Sequence, residues 1–189
     1  HGKEDTVPQE LLLEGPRSLA FYTYQQPPLK ADQVRARAVL SGISHGTELN
    51  LYRGTSPFDR QEFDPELRLF VQRSNRPAYP RGLGYEWVGR VVEVGARVDE
   101  FAVGDLVHLP SSHRETHTFV AGRQTSLGRV SPLPAELGPD QAIMIALAGV
   151  ALQAVHDAHI KLGDRVVVFG LGAIGLMGIQ LARLNGAAW

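Results

Sequence analysis

Between Gly170 and Gly175 the chain reads Gly-Leu-Gly-Ala-Ile-Gly, and glycines at this spacing suit one kind of chemistry, the binding of phosphate. Gly170 permits a tight turn, Gly172 lets the backbone approach a pyrophosphate, and Gly175 lets a helix pack against the preceding strand. Leu171, Ala173 and Ile174 complete the motif. It follows the β-branched run Arg165–Phe169 and opens the apolar segment Leu176–Leu184, the placement that a dinucleotide site needs. The free N–H groups and positive dipole end of that helix would face the phosphates. A second spacing, His113 and His117 around Glu115, would suit a metal only on a helix, and this segment does not read as helical. Metal binding is therefore not expected there. His45 lies in a Ser-His-Gly-Thr loop and reads either as an imidazole for proton transfer or as a solvated loop histidine. His108, His156 and His159 read as structural or solvated.

Elements must place these residues. Gln33–Leu40 alternates, with Val34, Ala36 and Ala38 on one side and Arg35 and Arg37 on the other. Trp87–Val94, Leu106–Leu109 and His117–Val120 read as further strands. Many short strands at this spacing point to a barrel or sandwich. Arg53–Arg81 stands apart, with Pro57, Pro65, Pro77 and Pro80, and reads as an inserted loop with one short helix near Pro65–Gln72. A solvated loop and a substrate-rim or subunit-contact element are the two readings of it. Asp140–Ala158 suits one or two buried helices, and Arg165–Phe169 a buried strand. A helix stop follows at Asn185-Gly186.

Composition narrows the classes. The 189 residues carry 19 basic and 20 acidic side chains, a balance that argues against a nucleic-acid binder. The 43% hydrophobic content is that of a globular chain. Zero cysteine excludes disulfides, thiolate zinc ligands and a cysteine nucleophile. His1–Asp5 lack the basic-then-apolar pattern of a signal peptide. The most apolar stretch, Val166–Ala182, is shorter than the roughly 20 residues of a membrane span. A cytoplasmic protein without membrane partner is the expectation.

Three ordered segments resemble the medium-chain dehydrogenase/reductase superfamily, the zinc-type alcohol dehydrogenase-like proteins. Gly84-Tyr85-Glu86-Trp87-Val88-Gly89, continuing through Val94-Gly95 and Phe101–Val107, is similar to that family's signature. Val39–Tyr52 and Lys161–Gly175 match two others. Ser41–Leu49 looks closest to the bacteriochlorophyllide dehydrogenase-like branch. The resemblance implies a mixed β and α/β fold: a GroES-like β-barrel domain over 7–138, then the start of a Rossmann-type dinucleotide-binding domain over 139–189. The fold is expected to continue past Trp189, because one strand and one helix cannot make a doubly wound sheet.

The resemblance also implies NAD(P)-dependent hydride transfer to or from a carbonyl or alcohol, on a small-molecule substrate. The residue that discriminates NAD from NADP, about 20 positions beyond the glycines, falls past Trp189, so the expected cofactor is NAD or NADP. The family's zinc-ligand positions fall at Ser44, Tyr85 and near Ile145, none a good zinc ligand, so no catalytic or structural zinc is expected. Thr47 matches the family's proton-relaying hydroxyl, with a helix-capping role as its alternative. Tyr85 replaces a histidine ligand and offers a phenol to a developing oxyanion. Glu86 and Glu48 match acids around the metal of relatives; here they would orient Tyr85, Thr47 or His45, or serve as structural hydrogen bonds. A quinone or enoyl reductase and a non-catalytic nucleotide-binding scaffold are the alternative functions. A homodimer through the Rossmann domain is the assembly that the family suggests.

Overall fold

Small and β-branched residues at alternate positions build the central sheet of a computed structural model whose described residues are 7–75, 78–126 and 128–188. The segment His1–Asp5 lies outside them. The strands are β1 (Gln9–Gly15), β2 (Ser18–Thr23), β3 (Gln33–Gly42), β4 (Gln61–Asp64), β5 (Leu69–Gln72), β6 (Arg81–Gly82), β7 (Glu86–Val94), β8 (Leu106–Leu109), β9 (Thr116–Val120), β10 (Gln124–Thr125) and β11 (Gly128–Arg129). The helices are α1 (Glu48–Arg53), α2 (Pro139–Ala142), α3 (Ile145–Asp157) and α4 (Ala173–Leu184), with a 3-10 turn at Pro57–Asp59. A four-stranded sheet runs β8-β7-β3-β9, a three-stranded one β2-β1-β6, and β4-β5 and β10-β11 are hairpins. All of the strand pairings are antiparallel.

Trp87 organises the core. It is fully buried among Val34, Ala36, Val91, Val107, Leu109 and Phe119. Its indole N–H donates to the Arg114 carbonyl at 2.9 Å, and its ring meets His117 edge-on at 4.8 Å. Gly89, two residues on and therefore on the same face, makes the room. A Cβ there would lie 2.0 Å from Trp87 Cη2. Val34 and Ala36 are buried as expected, but Ala38 is exposed. The register of β3 on β7 slips between Ala38 and Leu40, and such a bulge re-aims the side chains beyond it. Arg35 is buried with its charge met by Glu93, Thr118 and the Pro27 carbonyl.

Two expectations fail. The helix expected near Pro65–Gln72 is the turn and second strand of the β4-β5 hairpin. Asp64 Oδ1 accepts the N–H groups of Glu66 and Leu67 at 2.9 and 3.0 Å, so a local side chain turns the backbone before a helix can begin. Phe63 and Phe70 then pair across the hairpin with ring centroids 5.4 Å apart. The buried strand expected at Arg165–Phe169 is neither paired nor buried, for Val167 is 77% and Phe169 95% exposed. A parallel-type strand needs neighbours on its edges and cover on both faces; Val166 and Val168 are half-buried, and among the described residues no strand pairs with the segment. The later helices form where expected, though α3 is buried along one face only, with Val150 and Leu152 exposed, and α4 begins at Ala173 rather than Leu176. Pro139 opens α2, α3 packs on α4, and α4 ends at Asn185 with Gly186 at φ 104°.

Candidate functional site

The register of the sheet creates the site. Gly42 at the end of β3 lies opposite Glu86 at the start of β7. The loop that leaves β3, Ile43–Thr47, therefore stands beside Tyr85, the residue that enters β7. The junction of α2 and α3 closes against this corner, since a Cβ on Gly42 would sit 3.1 Å from Ile143 Cγ1 and 3.2 Å from Glu86 Cβ. Between the corner and the Gly170–Gly175 turn lies a cleft of about 800 Å³. Met144, Leu147, Ala151 and Val155, from the start and inner face of α3, line it.

Of the predicted residues, His45, Thr47 and Tyr85 line this cleft on the sheet side, and Gly170, Gly172, Ala173, Ile174 and Gly175 on the other. Leu171 does not line it and is 69% exposed. Thr47 occupies the N-cap position of α1 without a side-chain cap bond, so its hydroxyl does not have the capping role. Ser44 joins the lining, and among the described residues no Asp, Glu, Lys or Arg does. The cleft thus offers hydroxyls and an imidazole, without fixed charge, against an apolar wall.

Glu48 and Glu86 stand behind the cleft, both 3% exposed. Glu86 Oε2 meets His108 Nε2 at 2.8 Å, while its Oε1 is buried without a partner among the described residues. Glu48 Oε1 meets His113 Nε2 at 2.6 Å, and its Oε2 accepts the Ser44 N–H at 2.6 Å. Glu48 therefore acts on the cleft loop through Ser44, whereas Glu86 bonds neither Tyr85 nor Thr47. The two histidine partners are what sequence reasoning missed. His108 had a signal in register, lying opposite Val88 on the face it shares with Glu86. His113 had none, being 65 residues from Glu48. His113 and His117 do not converge, as His117 Nε2 donates to the Ser112 carbonyl at 2.9 Å. Burial lowers the His117 pKa to about 4, so the ring is neutral.

The three glycines have three different reasons. Gly170 has φ 95°, where other residues are strained. Gly175 has no room, since a Cβ would meet the Gly170 carbonyl oxygen at 1.9 Å. Gly172 has φ −77° and nothing within 4 Å of its missing Cβ, so the fold alone does not require it. Its bareness faces the cleft at the N-terminus of α4, where the first-turn N–H groups lack intrahelical partners. This set fits a dinucleotide phosphate.

Residues 30–138, more than half of the chain, match the alcohol dehydrogenase GroES-like domain family. The chain belongs to that family, and with it to the medium-chain dehydrogenase/reductase superfamily. This GroES-like chain is 35% identical to the D-guloside 3-dehydrogenase of Escherichia coli K12, a match covering 95% of this chain and 52% of that protein. It is 29% identical to the (R,R)-butanediol dehydrogenase of Bacillus subtilis, over 86% of this chain and 51% of that protein. The crystal structure of the 2R,3R-butanediol dehydrogenase from Bacillus subtilis shares the fold, with a TM-score of 0.70 at 23% identity over 95% of this chain and 56% of that one. The chain spans about half the length of the curated relatives it matches. The fold is thus mixed β and α/β, as the sequence implied.

Zinc fits poorly. The cleft corner offers the hydroxyls of Ser44, Thr47 and Tyr85 and the His45 ring, and one oxygen each of Glu48 and Glu86 is engaged by a histidine. Among the described residues no three His, Cys, Asp or Glu side chains converge to hold a metal ion. Nor is any helix of the described residues long and apolar enough to cross a membrane.

Proposed function

We propose that this chain carries the substrate rim and the phosphate turn of an NAD(P)-dependent oxidoreductase that transfers hydride to or from an alcohol or carbonyl carbon without catalytic zinc. The observation that carries this reading is the single cleft joining Thr47, Tyr85 and His45 to the Gly170–Gly175 turn. Gly172 and the start of α4 would hold the phosphates of a nicotinamide dinucleotide, which would supply or accept the hydride.

The chain's own residues do the rest. Thr47 and Tyr85 line the cleft, and among the described residues no hydrogen bond engages their hydroxyls. They hold the substrate oxygen, giving it a proton as negative charge grows there while a proton from His45 replaces the one given; in the reverse direction the hydroxyl takes the alcohol proton as its own passes to His45. His45, exposed at the rim, exchanges that proton with water. The apolar residues of α3 keep water from the reacting carbon. The donor set described above supports the zinc-free reading. The same proposal takes 7–138 as a catalytic domain, 139–189 as part of a dinucleotide domain, and the protein as cytoplasmic and homodimeric, acting on a small molecule.

The test is a turnover screen of the full-length protein with NAD(H) and NADP(H). Oxidation of alcohols or reduction of ketones supports the proposal. Turnover confined to quinones or enones replaces it with the reductase reading, which the sparse polar lining also favours. Cofactor binding without hydride transfer leaves a scaffold.

A further inference from the structure

We infer that His113 is a positioning residue that sets where the Thr47 and Tyr85 hydroxyls stand relative to each other. The inference rests on the oxidoreductase reading above. His113 lies outside the cleft and is 8% exposed, yet it touches the backbone behind both of these residues.

Toward Thr47 the link is a chain of hydrogen bonds. The Ser41 hydroxyl lies 3.0 Å from His113 Nδ1, Nε2 lies 2.6 Å from Glu48 Oε1, and Glu48 Oε2 accepts the Ser44 N–H at 2.6 Å. A carboxylate only accepts, which places a hydrogen on Nε2, while Nδ1 and the Ser41 hydroxyl share the second bond. Every member then has a partner, and the chain ends on Glu48. Glu48 is the first residue of α1, so its two oxygens tie the β3 end and the His113 segment to the loop of Ser44, His45 and Thr47.

Toward Tyr85 the link is packing. Gly84 has φ 106°, and a Cβ there would meet His113 N at 2.9 Å and the ring Cε1 and Nδ1 at 3.0 Å. The backbone that delivers Tyr85 thus rests on the imidazole. The ring cannot drift, because the His113 N–H donates to the Leu83 carbonyl at 2.8 Å and its own carbonyl accepts the Leu11 N–H at 2.9 Å. One buried ring therefore bears on both walls of the corner.

The test compares His113→Leu with His113→Gln in the full-length protein. Leucine removes the donor to Glu48 and strands a buried carboxylate oxygen, whereas glutamine keeps a donor at the Nε2 position. Misplacing reacting groups by about 1 Å costs about 10²-fold in rate. Accordingly, H113L is expected to lower kcat about 10²-fold with dinucleotide Kd unchanged, and H113Q to restore most of that loss. A folded H113L with wild-type kcat would overturn the inference, as would equal losses in both variants. A readout independent of turnover is the NMR spectrum. H113L should shift the Ser44, His45 and Thr47 amides and the Tyr85 ring, and H113Q should leave them close to their wild-type positions. Loop and ring signals unmoved in H113L would also overturn it. If H113L does not fold, His113→Asn, too short to reach Glu48, takes its place in the same comparison. If the wild type turns over no substrate, the oxidoreductase reading fails while the spectrum still tests the positioning.

Discussion

Gly172 and Gly175 are three residues apart in one motif, yet alanine should do opposite things at the two positions. At Gly175 the new methyl would lie 1.9 Å from the Gly170 carbonyl oxygen. An ordinary carbon–oxygen contact is about 3.3 Å or more, so the turn or α4 must move by more than an ångström. Overpacking of this kind costs about 1–3 kcal/mol, and a rigid backbone oxygen puts it near the top. For a chain of this size, about 3 kcal/mol lowers Tm by roughly 6–12 °C. At Gly172 the methyl meets nothing within 4 Å at φ −77°. Alanine is a poorer N-cap than glycine by some tenths of a kcal/mol, and its stiffer unfolded chain returns about as much. Tm should stay within about 2 °C. The methyl does, however, project where a pyrophosphate must approach, and NAD(P)H affinity should fall at least about tenfold, or about 1.4 kcal/mol. Thermal unfolding and cofactor fluorescence titration of both variants measure the two effects. An unchanged Kd for Gly172→Ala, or a Tm loss in it as large as that of Gly175→Ala, would refute the reasoning.

Three further outcomes are expected. Thr47→Val and Tyr85→Phe should each lower kcat by about 10–10³-fold in steady-state assays while cofactor affinity holds, because each removes a donor to the substrate oxygen. Gly89→Ala should destabilise the barrel by about 3 kcal/mol in denaturant unfolding, since its methyl displaces the Trp87 ring from 2.0 Å. Burial holds the folded His117 pKa at about 4, below its ordinary 6.5. The unfolded chain therefore takes up that proton first as pH falls. The contribution is fully present above about pH 6.5 and lost on descent toward 4, by at most about 3 kcal/mol. His117→Gln should flatten the stability profile across that window.

What the sequence made legible follows the range of the forces involved. The strands around Val34, Trp87 and Val107 were readable because alternation is local, and the Gly170–Gly175 turn because each glycine answers a local constraint. The 61–72 hairpin was not. Its decisive contact is one carboxylate, Asp64, competing with helix formation, and arginine and proline content carries no trace of that. Arg165–Phe169 reads as a strand from its own residues, but pairing and burial are supplied by other segments. Among the site residues, Thr47 and Tyr85 were reached through family resemblance, and the β3-β7 register is the physical reason that they meet. Glu48 was legible as a residue near the site but not as a partner of His113, because only the folded barrel closes the distance between α1 and the segment before β9.

The zinc-free oxidoreductase is tested most directly by turnover after exhaustive chelation. The full-length protein is dialysed against a strong chelator, its metal content is measured by elemental analysis, and nicotinamide absorbance follows oxidation of an alcohol substrate. Full activity is expected with far less than one zinc per chain. Activity that disappears with the metal and returns with stoichiometric zinc would contradict it.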